Sequence, residues 1–429
     1  MPSTLETAAG LLKQTFGPAI IELMPNDTPI ADLFTERESK DYAGGLGIMY
    51  PAEVQRTMGA MATGEEATLP TAGNMRYEQW NFPIKFFVGR IRMSIQAIRL
   101  SESNRAAFDG VMQREMNGIR NVFKIERGRY IFGDGRGVLA LVNGTPTTTT
   151  VTVDSPGGVS GSVTGNRFLY PSSILAAINP ATGAIRTGVI TVTNRSTTGN
   201  TFTASSAPSS WVDNDYIVRA ATTGVTDAAN TSYQREPMGL LGMVDNGTYV
   251  PTFHGINRTS VPLAGSYVVS TTGTLSADIM QRSIDVADER GDGNIDALIM
   301  QQSVRRAYIT LTDPFRRYQG GDLSSPDAGT RAAKKQELSF GGIPLKVDKY
   351  APYKTIFGCD TNGFVRYKSI DFEWADEDGS MWRAAGVGSS GVDSWEAFCR
   401  RWEEFHLDYP NANFRLDAVD ASAVAVPLD

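Results

Sequence analysis

The chain has 429 residues, of which 41% are hydrophobic and 20% are charged. These values are typical of a globular protein and exclude a disordered or collagen-like chain, and the length suffices for about three domains of ~150 residues. The net charge of -7 disfavours a dedicated nucleic-acid binder, which would be basic, so contact with nucleic acid is expected to be weak and nonspecific. The 2 cysteines and 2 histidines support neither a disulfide framework nor a zinc site.

Nothing in the sequence predicts a membrane segment or secretion. The longest apolar-leaning run, residues 131–142, is broken by glycine and charge and is well short of the ~20 residues that a membrane span needs. The N-terminal residues lack a basic segment ahead of an apolar core, which a secretory signal would have. We therefore expect a protein that stays in the reducing compartment where it is made.

The N-terminal part predicts two short helices, at residues 5–16 and 18–25, followed by extended chain from 44 to 95. Near the end of the extended segment, apolar residues alternate with Arg90 and Arg92, which is typical of a strand. An isolated two-stranded hairpin is marginally stable in water. We therefore expect this long excursion to pack on another subunit.

A long helix is predicted from Ser101 to Phe132, because apolar residues recur there at helical spacing. A compositional break follows, with seven charged residues between Gly144 and Thr222, where threonine and serine dominate. Threonine-rich runs separated by glycine turns predict the short strands of an inserted barrel or sandwich. Apolar residues such as Phe168 and Trp211 favour a folded domain over a disordered linker.

The remaining third of the chain predicts mixed helices and strands. A helix is expected after Leu275, a buried strand at residues 294–300, and a second helix at residues 303–311. From Leu338 onward the pattern predicts successive strands with turns between them. The sequence therefore indicates an α+β protein with one long helix.

Two glycine-rich segments resemble binding motifs but are incomplete. The glycines of residues 133–137 follow a helix rather than a strand, so they indicate helix termination rather than a dinucleotide site. Asp288 and Asp292 occupy ligand-like positions of a calcium loop, but Ile299 stands where the bidentate acid is required. We expect neither a cofactor nor a metal ion at these segments.

The reactive residue types also lack partners in the sequence. His254 and His406 are 152 residues apart, and no nucleophile with a catalytic spacing accompanies either of them. Cys359 and Cys399 lie in apolar, strand-like segments, where a cysteine generally behaves as a small hydrophobe. The sequence therefore predicts a protein that is not an enzyme and has no catalytic residues.

The order of arm, extended excursion, long helix and C-terminal strands resembles the major capsid proteins of tailed bacteriophages with the Hong Kong 97-like fold. The resemblance rests on FGPAIIELMPNDTPIADLF before YAGGLGIMYP, on QWNFPIKFFVGRIRMSIQAI before the helix, and on YPNANFRLDAV near the end. In that family these segments would be the N-arm, the two limbs of the E-loop and the C-terminal strand. The resemblance covers nearly the whole chain through order and spacing rather than invariant motifs.

The resemblance implies an α+β capsid fold with an additional inserted small β-barrel or sandwich. The implied parts are an N-terminal arm at 1–43, an E-loop at 44–95, a P-domain with the spine helix at 96–143 and 363–409, the inserted β domain at 144–222, and an A-domain at 223–362 and 410–429.

The implied function is self-assembly into hexamers and pentamers of an icosahedral shell that encloses the double-stranded DNA genome of a tailed phage. The implied location is the virion capsid, with assembly in the bacterial host cytoplasm. The implied partners are further copies of the chain, a portal protein, a decoration protein and a separate scaffolding protein, since no long helical prodomain precedes the spine. Residues 41–84 contain no lysine, so covalent crosslinking through the E-loop is not expected.

Two alternatives stay open from the sequence, an encapsulin-like bacterial compartment shell and a β-rich adhesin that binds glycans through the inserted domain. For the capsid interpretation, we expect five charged residues of the E-loop to contact another subunit, with ordinary solvated charges as the competing interpretation. These candidate interface residues are Glu53, Arg56, Glu65, Glu66 and Arg76.

Overall fold

The computed structural model describes residues 29–38, 47–94, 96, 111–159, 164–197, 199–316, 338–376, 382–384 and 394–421. The two helices predicted within residues 5–25 lie outside these ranges, as do residues 97–110 of the predicted long helix.

The first part of the described chain is rich in extended structure and ends in the long helix. Its elements are β1 (Thr35–Glu38), β2 (Ile48–Gln55), β3 (Arg76–Phe82), β4 (Lys85–Ser94) and α1 (Val111–Tyr130). Helix α1 coincides with the second part of the predicted spine helix. Its end is followed by a tight turn, in which the Gly133 N–H donates to the Tyr130 carbonyl at 2.9 Å, so glycine here terminates a helix as expected.

The threonine-rich segment forms a closed barrel, which decides between the two predicted architectures. Its strands are β5 (Ala140–Val142), β6 (Thr150–Asp154), β7 (Ile174–Ile178), β8 (Ile190–Arg195), β9 (Thr201–Ala204) and β10 (Tyr216–Arg219), joined in the order β10-β5-β6-β9-β8-β7. Strand β5 precedes residue 144, so the barrel takes in chain that lies before the predicted start of the insertion. The reason is that β5 pairs with β6 on one side and with β10 on the other, and the barrel closes through these two pairings.

The remaining elements confirm the predicted helix after Leu275, the buried strand and the second helix. In chain order they are α2 (Leu240–Met243), β11 (Thr252–Phe253), β12 (Ile256–Asn257), β13 (Tyr267–Val269), α3 (Ala277–Gly291), β14 (Ala297–Met300), α4 (Gln302–Arg316), β15 (Ser339–Phe340), β16 (Ile343–Val347), β17 (Ile356–Cys359), β18 (Phe364–Trp374), β19 (Arg383–Ala384), β20 (Ser394–Leu407) and β21 (Phe414–Leu416). Helix α3 begins at a Ser276 side chain that accepts from the Ile279 N–H, and it ends at Asp292 in the left-handed conformation.

Two larger sheets organise the chain outside the barrel. A five-stranded sheet has the order β1-β18-β20-β19, with β4 also paired to β20, and a six-stranded sheet has the order β13-β21-β17-β14-β16-β15. Strand β4 pairs with β20 over its whole length, from Ser94 opposite Ser394 to Lys85 opposite Glu403. This differs from the prediction of one two-stranded excursion through residue 95, because residues 85–94 find a longer partner in β20.

Helix α1 covers one face of the five-stranded sheet. The Phe87 and Phe123 rings meet edge to face with centroids 4.7 Å apart. Gly89 lies directly beneath the helix, where a Cβ atom would approach Phe123 to 2.6 Å and Cys399 to 2.8 Å. A glycine in β4 therefore permits the close approach of the helix to the sheet.

The barrel and the five-stranded sheet share one contiguous hydrophobic core, which includes Val153 and Trp211 of the barrel and Phe34, Phe82 and Phe405 beside the sheet. A second core lies around α3, α4 and the six-stranded sheet. The barrel is therefore packed into the molecule rather than attached by a linker, and its removal would expose the shared core.

A buried ionic network also fixes the barrel to α1. Glu126 on α1 accepts from Arg129 at 2.9 Å and from Arg219 of β10, and Arg129 also donates to Glu236. Burial acts to raise the pKa of the Glu126 carboxyl, but the guanidinium groups of Arg219 and Arg129 outweigh burial and lower it below its ordinary value. The network joins the helix, the barrel and the chain that leaves the barrel.

Candidate subunit interface

Strands β2 and β3 form a two-stranded antiparallel ribbon, which we define as residues 48–82. Its register runs from Ile48 opposite Phe82, through Tyr50 opposite Trp80, to Gln55 opposite Arg76. The connection between the two strands, residues 56–75, contains no further strand. The ribbon is therefore a long projection with one end attached to the body of the molecule.

The attached end, which we call the root, consists of Ile48, Tyr50, Trp80 and Phe82. Ile48, Trp80 and Phe82 are buried, and the Tyr50 hydroxyl donates to Asp408 at 2.8 Å. These side chains pack on the five-stranded sheet beside the C-terminal end of β20. The root therefore holds the ribbon through aromatic packing and one charge-assisted hydrogen bond.

The only two histidines of the chain meet at this root. The His406 ring is stacked between Phe82 and Phe253, with centroid distances of 4.9 and 5.5 Å, and the His254 ring is 5.1 Å away. Burial lowers the pKa of His254 to about 3, although a hydrogen bond of its ring with the Phe405 carbonyl opposes the shift. Burial, and then the neighbouring His254, hold the pKa of His406 well below its ordinary value.

The distal part of the ribbon exposes large apolar side chains. Met58 is 89% exposed and Leu69 is 82% exposed, both in the connection between the strands. The full exposed apolar set of the ribbon is Met49, Met58, Met61, Leu69, Met75 and Tyr77. A concentration of exposed apolar side chains on a projection is typical of an interaction surface, because a monomer gains nothing from it.

The five predicted interface charges all lie on the ribbon and are exposed. Glu53 lies in β2 and Arg76 begins β3, where Arg76 forms an ion pair with Glu78 at 2.5 Å. Arg56, Glu65 and Glu66 lie in the connection, and Glu66 adopts a positive φ of 60°. Within the described part of the chain no ion pair joins any two of the five, so the structure places them on the same projection without pairing them with one another.

A second exposed surface, the bare sheet face, lies on the five-stranded sheet opposite α1. Phe86 and Val88 of β4 are 63% and 62% exposed, and Phe86 meets Trp402 of β20 edge to face at 5.0 Å. Arginines border this apolar patch. The Arg400 guanidinium lies 5.4 Å from the centre of the Trp402 ring, and the Arg90 guanidinium lies over the ring of Phe398. Since side chains alternate along a strand, Trp402 and the root contact His406 share this face.

The bare sheet face was not identified from the sequence. The alternation with Arg90 and Arg92 predicts a strand, but it does not show that Phe86 and Val88 lie on the same side as these arginines and extend that side as an exposed apolar patch. Two apolar residues at the polar positions of an alternating strand were the available signal. The sequence also could not show that Trp402 of β20 extends the patch, because pairing between distant strands sets that contact.

The described part of the chain holds no candidate metal site. No group of three or more histidine, cysteine or acidic side chains suited to a metal ion occurs in the described ranges. Cys359 and Cys399 are both buried, and burial raises the pKa of the Cys399 thiol to about 11. No helix of the described chain is long and apolar enough to cross a membrane.

Comparison with known proteins gives a structural but not a sequence relationship. No protein-family model and no curated protein matches the chain. The chain is similar to the structure of the cyanophage A-1(L) capsid asymmetric unit, with a TM-score of 0.58, 12% identity, and coverage of 97% of this chain and 99% of that one. It is also similar to the capsid of a native GTA particle, with a TM-score of 0.51, 10% identity, and coverage of 98% and 100%.

At such low identity the similarity establishes the fold. The protein has the α+β Hong Kong 97-like capsid fold over nearly its whole length, which confirms the fold class predicted from the order of its elements. The resemblance to major capsid proteins of tailed phages is thereby confirmed at the level of architecture.

Proposed function

We propose that the protein is the major capsid protein of a tailed phage and assembles into hexamers and pentamers of an icosahedral shell around double-stranded DNA. The observation that carries the proposal is the whole-chain structural similarity to two capsid structures. The exposed apolar ribbon supports it independently, because the ribbon is an unsatisfied surface on a monomer. The function is structural, and the chain performs no catalysis.

The distal ribbon of one copy lies across a neighbouring copy, with the bare sheet face as its receiving surface. The receiving surface offers aromatic rings and arginines. Arg90 is ion-paired with Glu396 and Arg400 with Glu373, whereas the Arg92 Nε donates to the Ser394 hydroxyl at 3.0 Å. The ribbon offers methionine and leucine side chains and the acidic pair Glu65 and Glu66. The two surfaces are therefore complementary in hydrophobicity, and Arg92 offers a cation to the acidic pair.

The size of this contact explains why many copies are required. Complete burial of six large apolar side chains would contribute at most roughly 9–18 kcal/mol, at about 1.5–3 kcal/mol each. Association costs roughly 4–15 kcal/mol before any side chain is ordered. The cost of association therefore offsets much of this contribution, and a shell gains stability from repeating the contact in every copy.

The domains follow the two sheets. The five-stranded sheet with α1 is the P-domain, and the six-stranded sheet with α3 and α4 is the A-domain. Strand β4 belongs with the P-domain, so the E-loop is the ribbon of residues 48–82. The inserted barrel is a rigid addition to these parts, since it shares their core.

The same function defines the partners and location of the protein. Its partners are copies of itself, a scaffolding protein during assembly, a portal protein and a decoration protein, and it assembles in the bacterial cytoplasm and remains in the virion. Contact with packaged DNA is weak and nonspecific, consistent with the net charge of -7. The adhesin alternative is disfavoured because Trp211, the only tryptophan of the insertion, is 1% exposed and cannot stack on a sugar.

Sedimentation velocity of ribbon variants tests the proposal. Leu69→Asp places a charge on the exposed ribbon, and we expect folded monomers where the native chain forms capsomers or shells. The matched control is Val212→Asp, an exposed apolar residue of the barrel, which should assemble like the native chain. Equal assembly of both variants would contradict the role of the ribbon.

Reversal of the acidic pair tests the predicted interface charges. The double substitution Glu65→Lys and Glu66→Lys should reduce assembly without unfolding the monomer, since both side chains are exposed and make no ion pair with another described residue. Circular dichroism is the control for folding. Normal assembly of this variant would remove the two residues from the interface.

A further inference from the structure

The methionines of the described chain differ sharply in exposure. Four of them, Met49, Met58, Met61 and Met75, are about half exposed or more, and all four lie on the ribbon. Met93, Met243, Met280 and Met300, which lie in the body of the molecule, are at most 6% exposed. The thioether groups that solvent reaches most easily are thus concentrated on the surface assigned to assembly.

We propose that these ribbon methionines are an oxidation site for peroxides, and that their conversion to sulfoxides prevents assembly. The inference rests on the proposed function, because it requires the ribbon to be buried against another copy. Thioether side chains are flexible and polarizable and pack well against aromatic rings, whereas a sulfoxide is polar and disrupts such packing.

The reaction is a balanced two-electron oxidation of sulfur. A lone pair of the thioether sulfur attacks one oxygen of hydrogen peroxide, the S–O bond forms and the O–O bond breaks. The departing hydroxide takes up the remaining proton and leaves as water, so the sulfur is oxidised and the peroxide is reduced. A methionine sulfoxide reductase reverses the change while two thiols become a disulfide and the oxygen leaves as water.

The exposure and contacts of the four ribbon methionines predict the order in which they oxidise. Met58 is the most exposed, and Met61 follows it on the same connection. Met75 differs because its sulfur accepts a hydrogen bond from the Tyr77 hydroxyl at 3.2 Å, which occupies a lone pair. Met49 lies beside the root. Met58 and Met61 are therefore expected to oxidise first.

The positions of the two methionines that oxidise first determine what oxidation does to the protein. Met58 and Met61 flank no buried group, so their oxidation leaves the folded monomer intact and changes only what the ribbon presents to a second copy. Transfer of a polar sulfoxide from water onto the apolar part of the bare sheet face costs desolvation free energy that a thioether does not pay. Assembly is therefore lost while the fold is kept.

The test combines peroxide treatment of the unassembled full chain with mass spectrometry and electron microscopy. Treatment that oxidises Met58 and Met61 should reduce the yield of shells at least tenfold, and a sulfoxide reductase with a thiol reductant should restore it. The double variant Met58→Leu and Met61→Leu keeps the apolar contact and removes both sulfurs. It should form shells with and without peroxide.

The outcomes separate this inference from the proposed function. Normal assembly of native chain that carries both sulfoxides would overturn the inference and leave the proposed function standing, as would equal inhibition of the double variant. Absence of shells from untreated native chain would overturn the proposed function and the inference together. In assembled particles, oxidation of Met58 and Met61 should be at least tenfold slower than in the free chain, and equal rates would also overturn the inference.

Discussion

The paired histidines at the root predict a specific loss of stability in weak acid. Because burial lowers the pKa of His254 from 6.5 to about 3, its neutral form is favoured in the folded state. A group whose pKa is depressed on folding contributes its full stability above pH 6.5 and loses it as the pH falls toward the folded value. At pH 5 the loss from His254 is about 2 kcal/mol, at about 1.4 kcal/mol for each pH unit below 6.5.

His406 acts in the same direction, since burial also holds its pKa well below the ordinary value. The charged groups near the pair are Arg258 and Lys85 beside His254, and Arg37 and Asp408 beside His406. The three cations oppose protonation, and Asp408, 3.6 Å from the His406 Nε2, already accepts from the Tyr50 hydroxyl. Both histidines therefore lower the stability of the folded chain as the pH falls from 6.5 to 5.

The assay is urea unfolding of the unassembled chain at pH 7 and pH 5, followed by tryptophan fluorescence, because Trp80 lies 5.0 Å from His406. His406→Phe removes one titrating group and both of its buried, unpaired ring nitrogens while keeping a stacked ring between Phe82 and Phe253. This variant should lose less stability than the native chain on acidification.

Glu404 changes the stability with pH in the opposite direction from the histidines, so its contribution must be removed before their effect is measured. Burial raises the pKa of Glu404 to about 8, so its ionisation on unfolding destabilises the folded chain increasingly as the pH rises from 4.5. The comparison is therefore made in a Glu404→Gln background. An equal loss of stability in this background with and without His406→Phe would refute the assignment of acid sensitivity to the histidines.

Three further predictions concern stability. At pH 7, Glu404→Gln should raise the free energy of unfolding by about 3 kcal/mol. Burial keeps the native carboxyl protonated at this pH, which costs free energy because its ordinary pKa is 4.5 and the unfolded chain ionises; glutamine has no such cost. An unchanged urea midpoint would contradict this prediction. Glu126→Gln should destabilise by up to about 3 kcal/mol, because it removes the carboxylate shared by buried Arg129 and partly exposed Arg219. An unchanged melting temperature would show that the network is dispensable. Gly358→Ala should destabilise the folded chain by at least about 1–3 kcal/mol, because the added Cβ would overlap the Phe414 ring. In the control variant Gly224→Ala the added Cβ meets nothing within 4 Å, so thermal unfolding should be unchanged. Equal effects of the two substitutions would contradict the close packing of Gly358 against Phe414.

Local patterns were sufficient to predict much of the secondary structure. The apolar spacing before residue 132 predicted α1, and threonine-rich runs with glycine turns predicted the barrel strands. The alternation in residues 85–94 correctly indicated a strand, but period two does not specify a partner. Pairing of β4 with β20 depends on a segment about three hundred residues away, so the extent of the ribbon could not be read from the sequence.

The root was beyond sequence reasoning for the same reason. His254 and His406 are distant in the chain and neither is near a catalytic motif, so each was interpreted as an isolated residue. Their meeting follows from the close packing of the 251–257 hairpin, the root and β20. The five ribbon charges were assigned to a projecting loop through the resemblance to the capsid family, and their contact with a second copy stays a prediction.

Electron microscopy of the purified full chain, alone and coexpressed with a scaffolding protein, tests the central claim most directly. The account predicts closed angular shells, or hexamer and pentamer rings, in at least one of the two preparations. A monodisperse, folded monomer in both preparations would contradict assembly as the function of this protein.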